Sequence, residues 1–357
     1  MPIRANTQAP ITASVPPLSS AGNIRLAIFM TLPALLRELG HDPQPVLAAV
    51  GLKSLSMSEP DTFTPFENID RLLRHCRDVT GCEHIGLLVG QRVSLSYLGV
   101  LGFAMKSAES VGTALADLSR YRALHDQSAL INLQRDGALV SLRYLLMQSA
   151  VTAPEQVYDC AIAIGCSLLR DLCGPDWAPS RVMLGREAPR NTAPYKKFFR
   201  CPITYDNDWS GLEFHSRWLR NAPTGADPLL YRHMLREIQE LDAAAHGVAA
   251  DLIASLRLLL AVRHCNQAQA AALLGINTRT LRRQLMAAGT TFRAELEAAR
   301  FARAKAMLEA SELSVLQVAD RLGYADLSAF SHAFKRWSGM SPAHWRRSAF
   351  RCGNTTL

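Results

Sequence analysis

Three arginines, Arg279, Arg282 and Arg283, lie on a segment whose leucines recur at helical spacing. Leu281 and Leu285 are four residues apart, so on a helix they share one face and the arginines project from the other side. A guanidinium can donate two parallel hydrogen bonds to O6 and N7 of guanine, which discriminates against other bases by about 1–3 kcal/mol. A single surface arginine more often contacts only water, so this chemistry requires a helix that is presented to DNA.

A helix-turn-helix pattern follows near the C-terminus. The apolar residues of 318–322 repeat at helical spacing, Gly323 can take the positive φ that ends a helix, and Asp326 can cap the next helix. Phe330 and Phe334 then form a buried stripe, which leaves the opposite face of the second helix free to meet a groove of DNA. That face carries Leu327, Ser328, Ser331, His332 and Lys335.

The same pattern occurs a second time, about fifty residues upstream. Residues 271–276 match residues 319–324, and Leu281 and Leu285 stand where the downstream copy has its two phenylalanines. A period of this length is that of one three-helix unit rather than of a solenoid turn. Two such units are too few for a solenoid and enough for a bipartite DNA reader.

Residues 292–310 join the two copies and predict one continuous helix. The segment is rich in Ala, Glu, Arg and Lys, and its apolar residues are few. Its length would be about 28 Å at a rise of 1.5 Å per residue. Because adjacent major grooves on one side of B-DNA repeat about every 34 Å, we expect this helix to hold two recognition helices near successive grooves. One chain could then read two half-sites.

The basic excess of the chain lies in this same region. The chain has 39 Lys and Arg against 31 Asp and Glu, a formal net charge of +8. Residues 251–357 contain 15 basic and 7 acidic residues, which leaves 24 of each in the first 250 residues. A basic module beside a neutral one indicates that the C-terminal part neutralises phosphates and that the N-terminal part has another task.

Residues 250–348 resemble the DNA-binding domain of the AraC/XylS family of bacterial transcription regulators. The upstream copy fits loosely and the downstream copy fits closely. The resemblance implies an all-α domain in which a long helix joins two helix-turn-helix units. The residues that carry it are Ala319, Leu322-Gly323-Tyr324, Ser328, Phe330, Phe334-Lys335, Gly339, Ser341-Pro342 and Arg346.

The resemblance also implies roles for individual residues. The first recognition helix would contact bases through its three arginines, and the second would contact bases as a weaker reader. A third set would bind phosphates and so position the protein on DNA. The base-contacting residues are Arg279, Arg282, Arg283, Ser328, Ser331 and His332, and the phosphate-contacting residues are Lys335, Arg336 and Arg346.

Two nearby features are expected to be structural. Ser314 and Gln317 fit a capping box that starts the first helix of the downstream unit. Trp337 and Trp345 could stack on single-stranded bases, but tryptophans beside a helical phenylalanine stripe are more often part of a core.

Residues 23–220 predict an α/β domain for ligand sensing or dimerisation. The predicted strands 129–133 and 139–146 flank Gln134-Arg135-Asp136-Gly137, in which Asp-Gly is a strong hairpin signal, and 180–185 is another short strand. A weak similarity over 99–121 points to the ligand-binding-type domain of one AraC branch, and it transfers no binding residue. Helical periodicity covers Leu32–Leu39, Phe66–Val79, Ala108–Leu124 and Glu155–Leu172.

The remaining segments are expected to connect or flank these domains. Residues 1–22, rich in Pro, Ser, Thr and Ala, predict a disordered leader without the apolar core of a signal peptide. Residues 221–248 predict a linker that contains a helix, between the first domain and a reader at 249–348. Residues 349–357 are expected to form a tail.

The sequence argues against an enzyme. The eight cysteines form no CxxC pair, and HExxH, GxxxxGK and GxGxxG motifs are absent, so we expect neither a metal nor a cofactor. Buried cytosolic thiols explain the cysteines better. The strongest enzymatic alternative is a DNA-alkylation-repair methyltransferase that carries an AraC-type module. Its Pro-Cys-His-Arg acceptor motif is absent, and the nearest approach is Arg200-Cys201-Pro202.

We therefore expect a cytoplasmic, sequence-specific transcription regulator. Its partners would be double-stranded promoter DNA, a small-molecule effector, a second copy of the chain and, for an activator, RNA polymerase. No membrane contact is expected, because the longest uncharged apolar stretch of the first domain, Val93–Met105, is too short to cross a bilayer.

Overall fold

The computed structural model of the chain divides into two compact units. The first contains residues up to 248 and the second contains residues 249–357, with 147–149 outside the described residues. The expected leader, apart from Gly22, is also outside them. The structure describes residues 22–52, 59–146, 154–207, 209–245, 256, 260, 266–274, 276–310, 313–324 and 326–353.

The first unit combines helices with a five-stranded sheet in the order β3-β4-β7-β5-β6, and it confirms the predicted α/β class. All neighbouring strands are antiparallel except β5 and β6, and β1 and β2 form a separate pair. The strands are β1 Asn23–Arg25, β2 Phe63–Pro65, β3 Ala129–Asp136, β4 Leu139–Leu146, β5 Arg181–Met183, β6 Ile203–Thr204 and β7 Ser210–His215. The helices are α1 Leu32–Glu38, α2 Pro43–Ala48, α3 Phe66–Thr80, α4 Ile85–Gly90, α5 Val100–Ser107, α6 Val111–Arg120, α7 Pro154–Cys173, α8 Ala193–Phe199 and α9 Pro228–Ala245.

The predicted hairpin and one predicted helix differ from the structure in their bounds. Strand β3 continues to Asp136, which pairs with Leu139, so the turn is Gly137-Ala138 rather than Asp136-Gly137. The helix predicted from Ala108 begins only at Val111, because Ser110 caps it by accepting a hydrogen bond from a backbone amide. It ends at Arg120, and a short 3-10 turn follows.

Helix α7 joins the two apolar clusters of the first unit. Its N-terminal residues Val157 and Cys160 pack with α1–α3, and its later residues, among them Cys166 and Leu169, pack with the sheet and α6. These four side chains are almost fully buried. Their helical spacing explains why α7 could be predicted from the sequence. Helix α7 therefore packs against both clusters and connects them.

Two glycines let α4 approach α7 closely. A Cβ on Gly86 would lie 2.1 Å from the backbone oxygen of Gln156, and one on Gly90 would lie 2.3 Å from that of Cys160. The Gly86 amide also donates a hydrogen bond of 3.0 Å to the Gln156 side chain. Any side chain at these positions would force the two helices apart.

Helix α9 belongs to the core of the first unit, so the linker expected at 221–248 is not a simple tether. Ile238 is fully buried in the cluster that contains the α6 residue Leu118. The Tyr231 hydroxyl donates a hydrogen bond of 2.7 Å to the Asp117 carboxylate. The helix itself was predicted, but its place in the core was not, because that depends on contacts with residues more than a hundred positions earlier in the chain.

The regular elements in the described part of the second unit are all helices. The 19-residue helix α12 is uninterrupted, which confirms the predicted connecting helix. Helix α15 continues to Gly353 and so extends five residues past the predicted domain end at 348. The helices are α10 Gln267–Leu273, α11 Thr278–Ala287, α12 Phe292–Ala310, α13 Val315–Arg321, α14 Leu327–Ser338 and α15 Pro342–Gly353. Over the described part of both units, no helix is long and apolar enough to cross a membrane.

The close approach of α4 and α7 predicts a large cost for Gly86→Ala. We expect its free energy of unfolding to fall by about 1–3 kcal/mol, because the added methyl overlaps the Gln156 backbone. Gly165→Ala, in α7, is the matched control: its methyl would lie 3.4 Å from the nearest atom, Cδ1 of Leu212, and alanine favours the helix. Urea denaturation of the full chain checks both variants, and equal stabilities would refute the close approach.

Candidate nucleic-acid interface

Hydrogen bonds at both ends of α13 fix the geometry of the downstream helix-turn-helix. Ser314 and Gln317 form the predicted capping box at the start of α13, with hydrogen bonds of 3.1 and 2.8 Å. At the other end the Tyr324 amide donates to the Ala319 carbonyl over 3.0 Å, and Gly323 has φ +73°. Both ends of α13 are therefore closed, and the chain turns sharply.

Helix α14 presents one polar face as the sequence predicts. Asp326 caps its N-terminus by accepting from the Ala329 amide at 2.7 Å, and Phe330 and Phe334 are fully buried. Ser331 is half-buried at the edge of the opposite face. The exposed residues of that face are Leu327, Ser328, His332, Lys335 and Arg336.

Aromatic rings hold α14 against α12 and α15. Phe334 packs edge-on against Phe301 of α12, with ring centroids 5.6 Å apart, and against Trp345 of α15 at 5.8 Å. Trp337 packs against Phe301 at 5.8 Å, and the indole nitrogen of Trp345 donates to Glu309 over 2.8 Å. Both tryptophans are thus partly buried and pack against the core, as expected, and they fix the orientation of α14.

The upstream unit repeats this architecture. The Ile276 amide donates to the Ala271 carbonyl over 3.0 Å, the same bond at the same length as in the downstream turn, and Gly275 lies outside the described residues. Asn266 and Gln269 exchange hydrogen bonds of 2.9 Å as a capping box, 48 residues before Ser314 and Gln317. This second box was not among the predicted features, although subtracting the 48-residue repeat offset from Ser314 and Gln317 locates it.

Helix α11 exposes the three predicted arginines together. Asn277 caps the helix through the Thr280 amide at 2.8 Å, and Leu281 and Leu285 are buried. Arg279, Arg282 and Arg283 are all exposed, and no ion pair or side-chain hydrogen bond of theirs occurs within the described residues. The face therefore carries three solvated cations with donors available for a ligand.

The three predicted phosphate contacts lie in different surroundings. Lys335 is exposed and has no ion pair among the described residues. Arg336 is exposed but pairs with Glu297 of α12 at 3.0 Å. Arg346 is half-buried, and its Nε donates to the Leu308 carbonyl at 3.3 Å, in the last turn of α12. A cation there satisfies a helix end, so the structure gives Arg346 a structural contact that the sequence analysis did not foresee.

Burial affects the thiols of several cysteines in the first unit. Burial raises the pKa of Cys76, Cys160 and Cys166 to about 12, so these thiols stay protonated at neutral pH. Burial also raises the pKa of Cys201, the nearest approach to a methyl acceptor, to about 11. Cys265 lies outside the described residues. Within the described ranges, no group of three His, Cys, Asp or Glu side chains is placed to hold a metal ion.

Two family models match this chain. Residues 40–222, just over half of it, match the arabinose-binding domain of AraC transcription regulators, N-terminal part, and residues 270–348 match a helix-turn-helix domain. The chain is similar to the HTH-type transcriptional regulator VirS of Mycobacterium tuberculosis, with 27% identity over 87% of this chain and 93% of the relative. It is also similar to the ornithine utilization regulator of Pseudomonas aeruginosa, with 26% identity over 88% and 93%.

Among solved structures, the transcriptional regulator CdpR from Pseudomonas aeruginosa matches with a TM-score of 0.42 and 24% identity. The match covers 88% of this chain and 98% of that chain.

The surroundings of Arg346 and Lys335 predict opposite behaviour. Arg346→Ala should lower the free energy of unfolding by about 1–3 kcal/mol, because it removes a charged hydrogen bond, and should leave the salt dependence of DNA binding unchanged. Lys335→Ala should leave stability within about 0.5 kcal/mol and flatten the slope of log affinity against log salt by about one. Urea denaturation and anisotropy titrations over a range of salt concentrations measure both. A flattened slope for Arg346→Ala would show that it contacts a phosphate.

Proposed function

Because this chain belongs to the AraC family and is a DNA-binding transcription regulator, we propose that it recognises a promoter by inserting α11 and α14 into successive major grooves. The arginines of α11 supply most of the base recognition. The observation that carries this proposal is their joint exposure without protein partners on a helix whose other face is buried. Arginine on such a face can bind guanine through paired hydrogen bonds.

The second recognition helix contributes less to specificity and more to position. Ser328, Ser331 and His332 would contact bases, each through a shorter side chain or one with fewer donors than arginine. Lys335 and Arg336 would bind phosphates, and Arg336 would first have to share or leave its pairing with Glu297. Arg346 would contribute indirectly, by donating a hydrogen bond to the Leu308 carbonyl and so stabilising the C-terminal end of α12.

The first unit would sense a small molecule and join two copies of the chain. The match to an arabinose-binding-type domain supports sensing, and the name of the ornithine utilization regulator links that relative to a metabolite. A dimer would add half-sites and affinity. RNA polymerase is the further partner if the chain activates transcription, and a promoter as target implies that it acts in the cytoplasm.

A methyltransferase role is disfavoured, and we propose that the chain has no catalytic activity of its own. The relatives are transcription regulators. Cys201 is half-buried and its thiol is held in the protonated form, which is a poor nucleophile.

Fluorescence anisotropy of the full chain tests the regulator proposal directly. We expect a fragment from upstream of its own or neighbouring genes to bind about a thousandfold or more tightly than scrambled DNA at near-physiological salt. Equal, weak and strongly salt-dependent binding of both DNAs would contradict sequence recognition.

The proposed role of α11 predicts a selective loss for Arg283→Ala. This variant should lose about 1–3 kcal/mol on the specific fragment, with relaxed preference at one base pair and little change on scrambled DNA. Lys335→Ala removes the same charge and is the matched control, since it should weaken all sequences alike. Equal losses of Arg283→Ala on specific and scrambled DNA would assign Arg283 to a phosphate instead.

A further inference from the structure

A partly open cavity of about 100 Å³ lies in the first unit, where α7 and the five-stranded sheet meet residues of the N-terminal segment such as Phe29 and Phe66. The sheet contributes Leu142 and Leu212, and α7 contributes Ile164 and Leu168. The lining is predominantly apolar. Protein interiors are usually close-packed, and an apolar cavity of roughly 150 Å³ stays dry and binds benzene. A space of this kind fits a small apolar molecule better than it fits water.

A glycine in the middle of α7 helps to keep this space open. A Cβ on Gly165 would lie 3.4 Å from Leu212 and 3.9 Å from Leu142, which are ordinary contact distances, so a methyl fits there. Glycine inside a helix is less stable than alanine. The backbone around Gly165 therefore does not require a glycine, and a larger side chain there would project between two residues that line the cavity.

Among the polar residues that line the cavity, His125 has a ring nitrogen available for a hydrogen bond to a ligand. His125 lines the cavity, and its Nδ1 is buried without a hydrogen-bond partner within the described residues. Burial, reinforced by the charge of Arg25, lowers the pKa of His125 to about 3, so the ring is neutral at physiological pH. A neutral imidazole offers one donor and one acceptor.

The other polar residues of the lining are already engaged. The Asp126 carboxylate accepts hydrogen bonds from the Ser128 amide at 2.8 Å and from the Tyr144 hydroxyl at 2.7 Å. The Arg143 guanidinium lies over the Trp209 ring, with its carbon 4.0 Å from the ring centroid. Because Arg143 is stacked on Trp209 and Asp126 already has its own donors, a buried carboxylate ligand would lose its hydration without gaining a dedicated partner, which disfavours anionic ligands.

We propose that this cavity binds the effector, and that the effector is a small, neutral, mostly apolar molecule of about the size of a benzene ring with one hydrogen-bonding group directed at His125. Phenols and small cyclic alcohols have this chemistry. The proposal rests on the proposed regulator function. A pentose is excluded, because it carries a hydroxyl group on almost every carbon and most of them would be buried without partners.

Fluorine NMR of 4-fluorophenol with the full chain tests the proposal. We expect saturable binding to the wild type, binding at least tenfold weaker in Gly165→Leu, and binding within threefold of wild type in Gly165→Ala, the smaller matched variant. His125→Leu should weaken 4-fluorophenol and leave fluorobenzene unchanged, because only the phenol uses the hydrogen bond. L-Arabinose and benzoate should not displace the probe.

Several results would overturn the proposal: no saturable binding to the wild type, displacement by L-arabinose or benzoate, or undiminished binding to a folded Gly165→Leu. If Gly165→Leu fails to fold, as circular dichroism would show, the His125→Leu comparison and the competition experiments on wild type decide alone. Anisotropy with promoter DNA is measured on the same samples. Specific DNA binding without probe binding refutes only the cavity proposal, whereas loss of sequence preference refutes the regulator proposal itself.

Discussion

One backbone hydrogen bond, made twice, sets the geometry of the second unit. The amide of Ile276 folds back to Ala271, and the amide of Tyr324 folds back to Ala319, at the same length. Each bond satisfies a carbonyl that the end of a helix would leave unpaired and fixes where the next helix begins. The caps at Asn277 and Asp326 then start α11 and α14 just after the turns. The faces offered to DNA follow from these local contacts and from the residues buried behind them.

The cationic side chains of the two recognition helices differ in whether they already have partners within the protein. On α11 the three arginines remain solvated in the described structure, so their donors are not committed to protein acceptors. On α14 and its supports the cations are partly used internally, through Glu297 for Arg336 and through a helix end for Arg346. In the proposed interface, base discrimination comes mainly from α11, while α14 adds phosphate contacts and a fixed spacing.

The sequence was sufficient wherever local periodicity or a local cap decided the structure. The uninterrupted helix α12, the buried pair Phe330 and Phe334, and the capping box at Ser314 are of this kind. Contacts between residues far apart in the chain were not accessible. The position of helix α9 depends on the burial of Ile238 in the core of the first unit. The position of Arg346 depends on its hydrogen bond to the carbonyl of Leu308, 38 residues earlier.

The sheet and the cavity show the same limit. Strand order, with its parallel pair β5 and β6, depends on long-range pairing that no short pattern specifies. Gly165 could be read only as an unfavourable residue inside a helix until Leu142 and Leu212 were seen to face it. The second capping box, by contrast, could have been predicted from the sequence, by applying the repeat offset to Ser314 and Gln317.

We propose that one chain places two recognition helices in successive major grooves, with the roughly 28 Å helix α12 holding them near that spacing. Dimethyl sulfate protection on the specific promoter fragment measures this directly, because the reagent methylates guanine N7 in the major groove. Guanines should be protected in two clusters about 10 base pairs apart on one face of the DNA. Arg283→Ala, added at a concentration that restores full occupancy of the fragment, should weaken protection in one cluster only. A single protected cluster per bound chain, or equal weakening of both clusters at full occupancy, would contradict this arrangement.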